Sequence, residues 1–319
     1  TLTGSDVVTY AHLLSRQGWF LSRLNRRAEA ADFLQRSLDL YRQVGDVVGE
    51  SIALNDLGIV VYRLGDYARS KRLALDSLAL ARAQNDRWKV AATLTNLGNV
   101  CRAMGDYAEA KAYLLEGAAI MRQEGDKYSL ANLLNNLGEV ARALAEFGEA
   151  RAYYEESLTI RRQVDDQYGI AHSLNNLGDI AHAAGQTNEA RRLYQESLSI
   201  LRELKAESVA AHPLSGLGRL ARHGGDYQQA LACYQEALQP LQPDSNVPIV
   251  LNVLFEVVML LVEMGEEMAL AQSLLHLVYN HPKTSDETRQ AAEQYRPLDS
   301  SPPFAFTLAE AVETVMQFR

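Results

Sequence analysis

Apolar positions along the chain follow a helical period, and the pattern restarts every 40 residues. Between Asp126 and Ala145, the residues Leu130, Leu133, Leu134, Leu137, Val140, Ala141 and Leu144 fall at helical spacing, which predicts an amphipathic helix. Between Glu146 and Asp165, Ala150, Tyr153, Tyr154, Leu158 and Ile160 mark a second one. Each helix is expected to hold about 18 residues, or roughly 27 Å at 1.5 Å per residue.

Three residue series keep this cadence in phase. Gly18, Gly58, Gly98, Gly138, Gly178 and Gly218 step by 40, and Val258 takes the next place. Leucine precedes five of these glycines, at Leu57, Leu97, Leu137, Leu177 and Leu217. Gly65, Gly105, Gly185, Gly225 and Gly265 follow seven residues later, with Asn25 and Ala145 in the remaining places. Asp6, Asp46, Asp86, Asp126 and Asp166 form the third series, continued by Ala206 and Asn246. An aspartate at a helix start accepts from the orphan N–H groups of the first turn. A glycine at a helix end turns the chain without a steric cost. The prediction is two helices per unit, in units near 5–44, 45–84, 85–124, 125–164, 165–204, 205–244 and 245–280.

Proline placement agrees, because no proline occurs in the first 212 residues and helix interiors exclude it. Pro213 is expected in the first turn of its helix, where it is tolerated. Pro240, Pro243 and Pro248 mark a longer connection, and Pro282, Pro297, Pro302 and Pro303 an irregular tail. An amphipathic stretch from Leu308 to Phe318 is expected to close the array, since the last unit otherwise exposes an apolar face.

Gly138, Ala145 and Ala150 in one unit, and Gly98, Gly105 and Ala110 in another, put small residues at the helix contacts and turns. With these residues, about 5 to 280 of the chain resembles the tetratricopeptide repeats. That family's unit is about 34 residues, so a step of 40 implies longer helices, and the family's proline near the end of the second helix is absent. The "NNLG" and "GDYxxA" segments look like the repeats of cell-polarity adaptors and bacterial signalling proteins. Leu274–Leu275–His276 to Asn280–His281–Pro282, followed by Thr288–Arg289, resembles the C-terminal sensor arrays of large bacterial signal-transduction ATPases and regulators. The resemblance implies an all-α, right-handed superhelical solenoid of about seven helical hairpins over 1–280, with a C-terminal helical cap over 281–319.

Composition narrows the function. Lys plus Arg is 31 against 40 for Asp plus Glu, a formal charge of −9. A phosphate-backbone binder needs the opposite balance or a basic patch, so no nucleic-acid partner is expected. Apolar runs of only a few residues argue against a membrane span. Cys101 and Cys233 have no metal-site spacing and suggest a reducing, cytoplasmic location. The chain begins at Thr1 rather than Met, so an upstream segment is expected.

In the resembling family the first helix of each unit lines a concave groove. Here those helices carry polar residues on one face: Asn55; Thr95, Asn96, Asn99 and Arg102; Asn132, Asn135, Asn136, Glu139 and Arg142; His172, Asn175, Asn176, Asp179 and His182; and His212, Ser215, Arg219 and Arg222. Eight of the fourteen asparagines sit in these helices. Asparagine costs about 0.6 kcal/mol relative to alanine in a helix, roughly 5 kcal/mol in sum, so the stripe serves something other than helicity. Carboxamides donate and accept, which suits an extended peptide backbone. They equally suit bonds between neighbouring helices, and both readings stay open. His12, Trp19, Ile59 and Tyr62 offer an apolar end, with Trp19 and Tyr62 as candidate anchors, whereas Phe255, Met259 and Val262 read as end-cap core.

Other chemistry finds little support. His172 and His212 are equivalent by repeat, and His182 shares the face of His172, but ten residues along a helix span about 15 Å, too far for one ion with ligands near 2 Å. Glu139 and Asp179 could form a carboxylate dyad, yet carboxylates beside Arg102 and Arg142 suit salt bridges or a partner's cationic groups better. No phosphate-loop, HExxH, GxSxG or dinucleotide motif is present. Neither catalysis nor a metal or other cofactor is expected. The leading reading is a non-catalytic module that binds a peptide or protein segment, serving as the sensor of a larger bacterial signalling ATPase or regulator. Competing readings are a small-molecule sensor built on Arg102, Arg142, Asn136 and His172, and a self-associating scaffold.

Overall fold

The computed structural model describes residues 4–243, 246–295 and 303–318, all of them in helices and connecting turns. It divides into two compact units, Thr1–Val164 and Asp165–Arg319. Asp244 and Ser245, Pro297 and Pro302 lie outside the described residues.

The first unit holds four helical hairpins. Their first (A) helices are α1 (Gly4–Arg23), α3 (Val47–Arg63), α5 (Arg87–Met104) and α7 (Lys127–Ala143). Their second (B) helices are α2 (Arg27–Val44), α4 (Tyr67–Ala83), α6 (Tyr107–Glu124) and α8 (Phe147–Gln163). The second unit continues with A helices α9 (Gln167–Ala183), α11 (Glu207–His223) and α13 (Val247–Met264), and B helices α10 (Thr187–Glu203), α12 (Tyr227–Leu238) and α14 (Met268–Asn280). Two short helices, α15 (Asp286–Glu293) and α16 (Leu308–Gln317), complete it.

The turns explain why the helices begin and end where they do. Asp46, Asp66, Asp86, Asp126, Asp166 and Asp226 each accept from the N–H three residues on. A residue with left-handed backbone stands in the turn between most successive helices. Gly45, Gly65, Gly105, Gly125, Gly185, Gly225 and Gly265 fill that place, as do Asn25, Asn85, Ala145, Asp165 and Lys205. The true period of the turn is thus 20 residues, half the repeat, and both halves use the same device.

Five of the hairpins are closed by a close crossing at a glycine. A Cβ built on Gly98 would lie 2.5 Å from Leu114, and one on Gly138 would lie 2.4 Å from the Tyr154 ring. Gly18 stands in the same way against Leu34, Gly178 against Tyr194 and Gly218 against Tyr234. Only a residue without a side chain lets a ring rest on the opposing helix. Buried serines add another link between paired helices. Ser37, Ser77, Ser157 and Ser197 donate to the carbonyls of Ala11, Ser51, Ala131 and Ala171, each 26 residues back. The serines themselves step by 40 along the chain, with Gly117 interrupting the series.

Within each unit, successive A helices touch: α1 with α3, α3 with α5, α5 with α7, and likewise α9 with α11 and α11 with α13. The A helices therefore converge, and their shared face is the inner one. The B helices instead tie successive repeats through exposed ion pairs such as Arg82–Glu116 and Arg122–Glu156, both 2.6 Å.

Two expectations change. Pro213 lies in the second turn of α11, which starts at Glu207, and is buried. Its missing N–H therefore removes an interior bond rather than an orphan one. In addition, α13 is long and apolar enough to cross a membrane by length and composition, with a mean hydropathy of 2.2 over 18 residues. Half of it is buried inside its unit, where it packs against α12, α14, α15 and α16, which accounts for its apolar character. Phe255 and Val262 pack on this core. The stretch from Leu308 forms α16 as expected. It buries Ala311 and Val315, and Gln235 on α12 donates to the carbonyls of Val315 and Phe318 at 3.0 and 2.8 Å.

Gly58 is the exception among the crossing glycines, because a Cβ there meets nothing nearer than 3.7 Å. Gly58→Ala is expected to raise stability by about 0.5–1 kcal/mol through helix propensity. Gly138→Ala should lower it by about 1–3 kcal/mol through overpacking against Tyr154. Urea unfolding followed by circular dichroism will separate the two. Ala145 holds φ +59°, a conformation costing an L-residue roughly 1–2 kcal/mol. Ala145→Gly should therefore shift the urea midpoint upward, by about 1 kcal/mol of stability.

Candidate functional site

The inner face of the first unit is set by residues repeating along α3, α5 and α7. Asn96 donates to Asn55 across the repeat boundary at 2.8 Å. These two amides, with Asn99, line a cavity of about 280 Å³ between α3, α4 and α5. Its buried lining is Gly58, Ser70, Ala74 and Val100, and its half-buried lining includes Ile59 and Tyr62. Ser70 donates to the Gly58 carbonyl at 2.8 Å. The Tyr62 ring stacks at a tilt on Tyr67, with centroids 5.5 Å apart, and burial pushes its hydroxyl pKa up. Burial also raises the neighbouring Asp56 carboxyl, and a hydrogen bond from Asn55 partly offsets this. Asn99 is half-buried in the cavity wall and makes no side-chain hydrogen bond with another described residue.

The amides further along take other roles. Asn135 is only 4% exposed and donates to Glu139 one turn on, at 3.2 Å. Asn132 accepts from Arg161 of the B helix at 2.8 Å. Glu139 also pairs with Arg102 of the preceding repeat at 3.4 Å. Asn136 and Arg142 are half-buried on the same helix. Trp19, the other apolar candidate, is 54% exposed with the Arg23 guanidinium 4.9 Å above its ring. It is not part of the cavity lining around Tyr62.

The second unit keeps Asn175 and Asn176 on α9 and adds a longer network of charges. Asp179 on α9 accepts from the Tyr194 hydroxyl at 2.7 Å and pairs with Arg219 on α11 at 2.5 Å. Arg219 reaches Glu256 on α13 at 3.4 Å, and Arg222 pairs with Glu256 at 3.5 Å and with Glu263. Burial works against the charge of Arg219, but Asp179 and Glu256 outweigh it and hold its pKa above the ordinary value. A smaller cavity of about 90 Å³ lies here, lined by Asn175, Asp179, His212, Ser215, Arg219 and Glu256 among others. The Asn175 side-chain oxygen and the Arg219 Nε are buried without a hydrogen-bond partner.

The histidines separate. His182 lies 3.0 Å from His223, one repeat on. Burial lowers its pKa, and Arg219 and His223 lower it further. His172 stands 3.5 Å from the Asn176 amide. Among the described residues no cluster of three metal-ligating side chains exists. At the far end, Thr288 on α15 donates to Asn252 of α13 at 2.7 Å. Arg289 donates to the carbonyls of Tyr279 and His281 at 3.2 and 3.0 Å. The Thr288–Arg289 segment thus fastens α15 to the last hairpin.

Solved structures with a similar fold include the apo form of RapI, at a TM-score of 0.70 and 15% identity, covering 89% of this chain and 99% of that one. A Rap protein complexed with Competence and Sporulation Factor aligns at a TM-score of 0.66 and 14% identity, over 93% of this chain and 78% of that one. A signal-transduction ATPase with a tetratricopeptide repeat sensor, from Pyrococcus horikoshii, aligns at 0.66 and 12% identity. That match covers 92% of this chain and 44% of the ATPase. No curated protein matches the chain. The tetratricopeptide repeat family matches in five overlapping stretches, residues 9–83, 49–123, 89–163, 129–203 and 169–242. By that match and by its stacked hairpins, the chain belongs to the tetratricopeptide repeat family.

Proposed function

We propose that the chain is a non-catalytic recognition module whose A-helix face holds a peptide or protein segment, and that it serves as the sensor of a larger signalling protein. The observation that carries this reading is Asn99. Its half-buried amide faces an open cavity with no protein partner among the described residues, ready to bond a backbone amide. The two cavities, about 280 and 90 Å³, fall below the roughly 300–1,000 Å³ typical of small-molecule sites. This favours a segment that lies along the face over an enclosed metabolite. The acidic and basic groups of the face neutralise one another, as in Asp179–Arg219 and Arg102–Glu139, which suits binding better than proton transfer. Two structural neighbours, a Rap protein complexed with Competence and Sporulation Factor and an ATPase with a repeat sensor, lend context to a sensor role. Cys101 and Cys233, both free and buried, suit a reducing compartment.

Peptides selected from a random phage-displayed library against the whole chain should bind wild type measurably in calorimetry. Asn99→Ala should weaken them by about five- to tenfold, the worth of one hydrogen bond, with an unchanged or slightly raised melting temperature. Asn135→Ala should instead lower the melting temperature. Failure to select any peptide, or equal binding to Asn99→Ala, would overturn the proposal.

A further inference from the structure

The crossing of each of the first six hairpins has a glycine on the A helix, and the residue sixteen positions on stands opposite it. In five of them that residue is Leu34, Leu114, Tyr154, Tyr194 or Tyr234, and its side chain rests against the glycine. In the hairpin of α3 and α4 the place belongs to Ala74, opposite Gly58. Both partners at this crossing are small, and the 280 Å³ cavity lies between them. The cavity is therefore the notch that a leucine or tyrosine of the chain itself fills in five other hairpins.

We infer that this notch is a side-chain pocket which takes a phenylalanine of the bound segment, and that Ala74 is the residue which keeps it open. This inference rests on the reading of the A-helix face as a peptide site. The other hairpins serve as templates for the occupant, since they seat a branched or aromatic side chain against the same glycine. The lining selects among these. Where Tyr194 fills its notch, its hydroxyl ends on Asp179 at 2.7 Å. The equivalent position here, three repeats earlier, is Ile59, so the carboxylate that receives the phenol is replaced by an apolar side chain and an unsubstituted ring fits better. Tyr62 supplies an aromatic wall, and rings gain from tilted contact with one another. Asn55, Asn96 and Asn99 border the same cavity. They can hold the backbone of the residue whose side chain enters.

The test uses the whole chain and two probes, N-acetylphenylalanine amide and N-acetylalanine amide, with the methyl resonances of Ile59 and Val100 as reporters. The phenylalanine probe should give saturable shifts in the millimolar range. The alanine probe should bind at least tenfold more weakly. Ala74→Leu, which installs the residue of both flanking repeats, should abolish the shifts without lowering the melting temperature. Gly58→Leu, which fills the notch from the opposite helix, is the second variant should the first fold poorly. Absent shifts in wild type, or unchanged shifts in both folded variants, would overturn the inference. The library-selected peptides separate it from the reading beneath it. Peptides that need Asn99 but ignore Ala74→Leu would leave the groove standing and sink the pocket. Probe binding with no selectable peptide would leave the pocket and sink the groove.

Discussion

Five of the hairpins depend on one close contact, the approach of a B-helix side chain to the backbone of an A-helix glycine. Interior packing tolerates neither a gap nor an overlap of a methylene without cost. The side chain opposite the glycine therefore sets how near the two helices lie and how they cross. Leucine and tyrosine both meet this need, with Leu114 against Gly98 and Tyr154 against Gly138. Where Ala74 replaces them, the buried serine Ser70 and its bond to the Gly58 carbonyl still join the two helices. The hairpin keeps its form, and the space becomes a cavity on the inner face.

The inner faces of the two units solve the same problem with different chemistry. In the first, neutral amides bond across repeats, as Asn96 does to Asn55, and an amide can exchange one partner for another at little electrostatic cost. In the second, Asp179, Arg219, Glu256 and Arg222 form a chain of half-buried and buried charges. Removing one member of such a chain leaves another uncompensated. That network is built to stay as it is, whereas the amide-lined cavity has capacity to spare. Exposed ion pairs on the B helices, such as Arg122–Glu156, contribute little by comparison, since solvent screens them.

Much of the fold was legible because its signals are local. An aspartate cap, a left-handed turn residue and a run of leucines each act within a few residues, and repetition makes each visible several times over. Local signals mislead where a helix boundary decides the meaning of a residue. Pro213 looked like a first-turn residue until α11 proved to begin at Glu207. The apolar runs of α13 looked short until the helix joined them. The site was legible as a stripe but not residue by residue. Asn132 and Asn135 on α7 and Asn99 on α5 all belong to the polar stripe of the A helices. Yet Asn135 is buried against Glu139, Asn132 serves Arg161, and Asn99 borders a cavity.

By itself the sequence determined the helices, their pairing into hairpins and which helix of each pair carries the polar stripe, because those follow from short-range periodicity and turn chemistry. Tertiary structure alone decided which amides are spent on internal bonds and where the inner face opens. A hydrogen bond or a cavity depends on what a neighbouring helix presents at that depth. In this chain the deciding residue, Ala74, is an ordinary alanine until Gly58 is seen across from it.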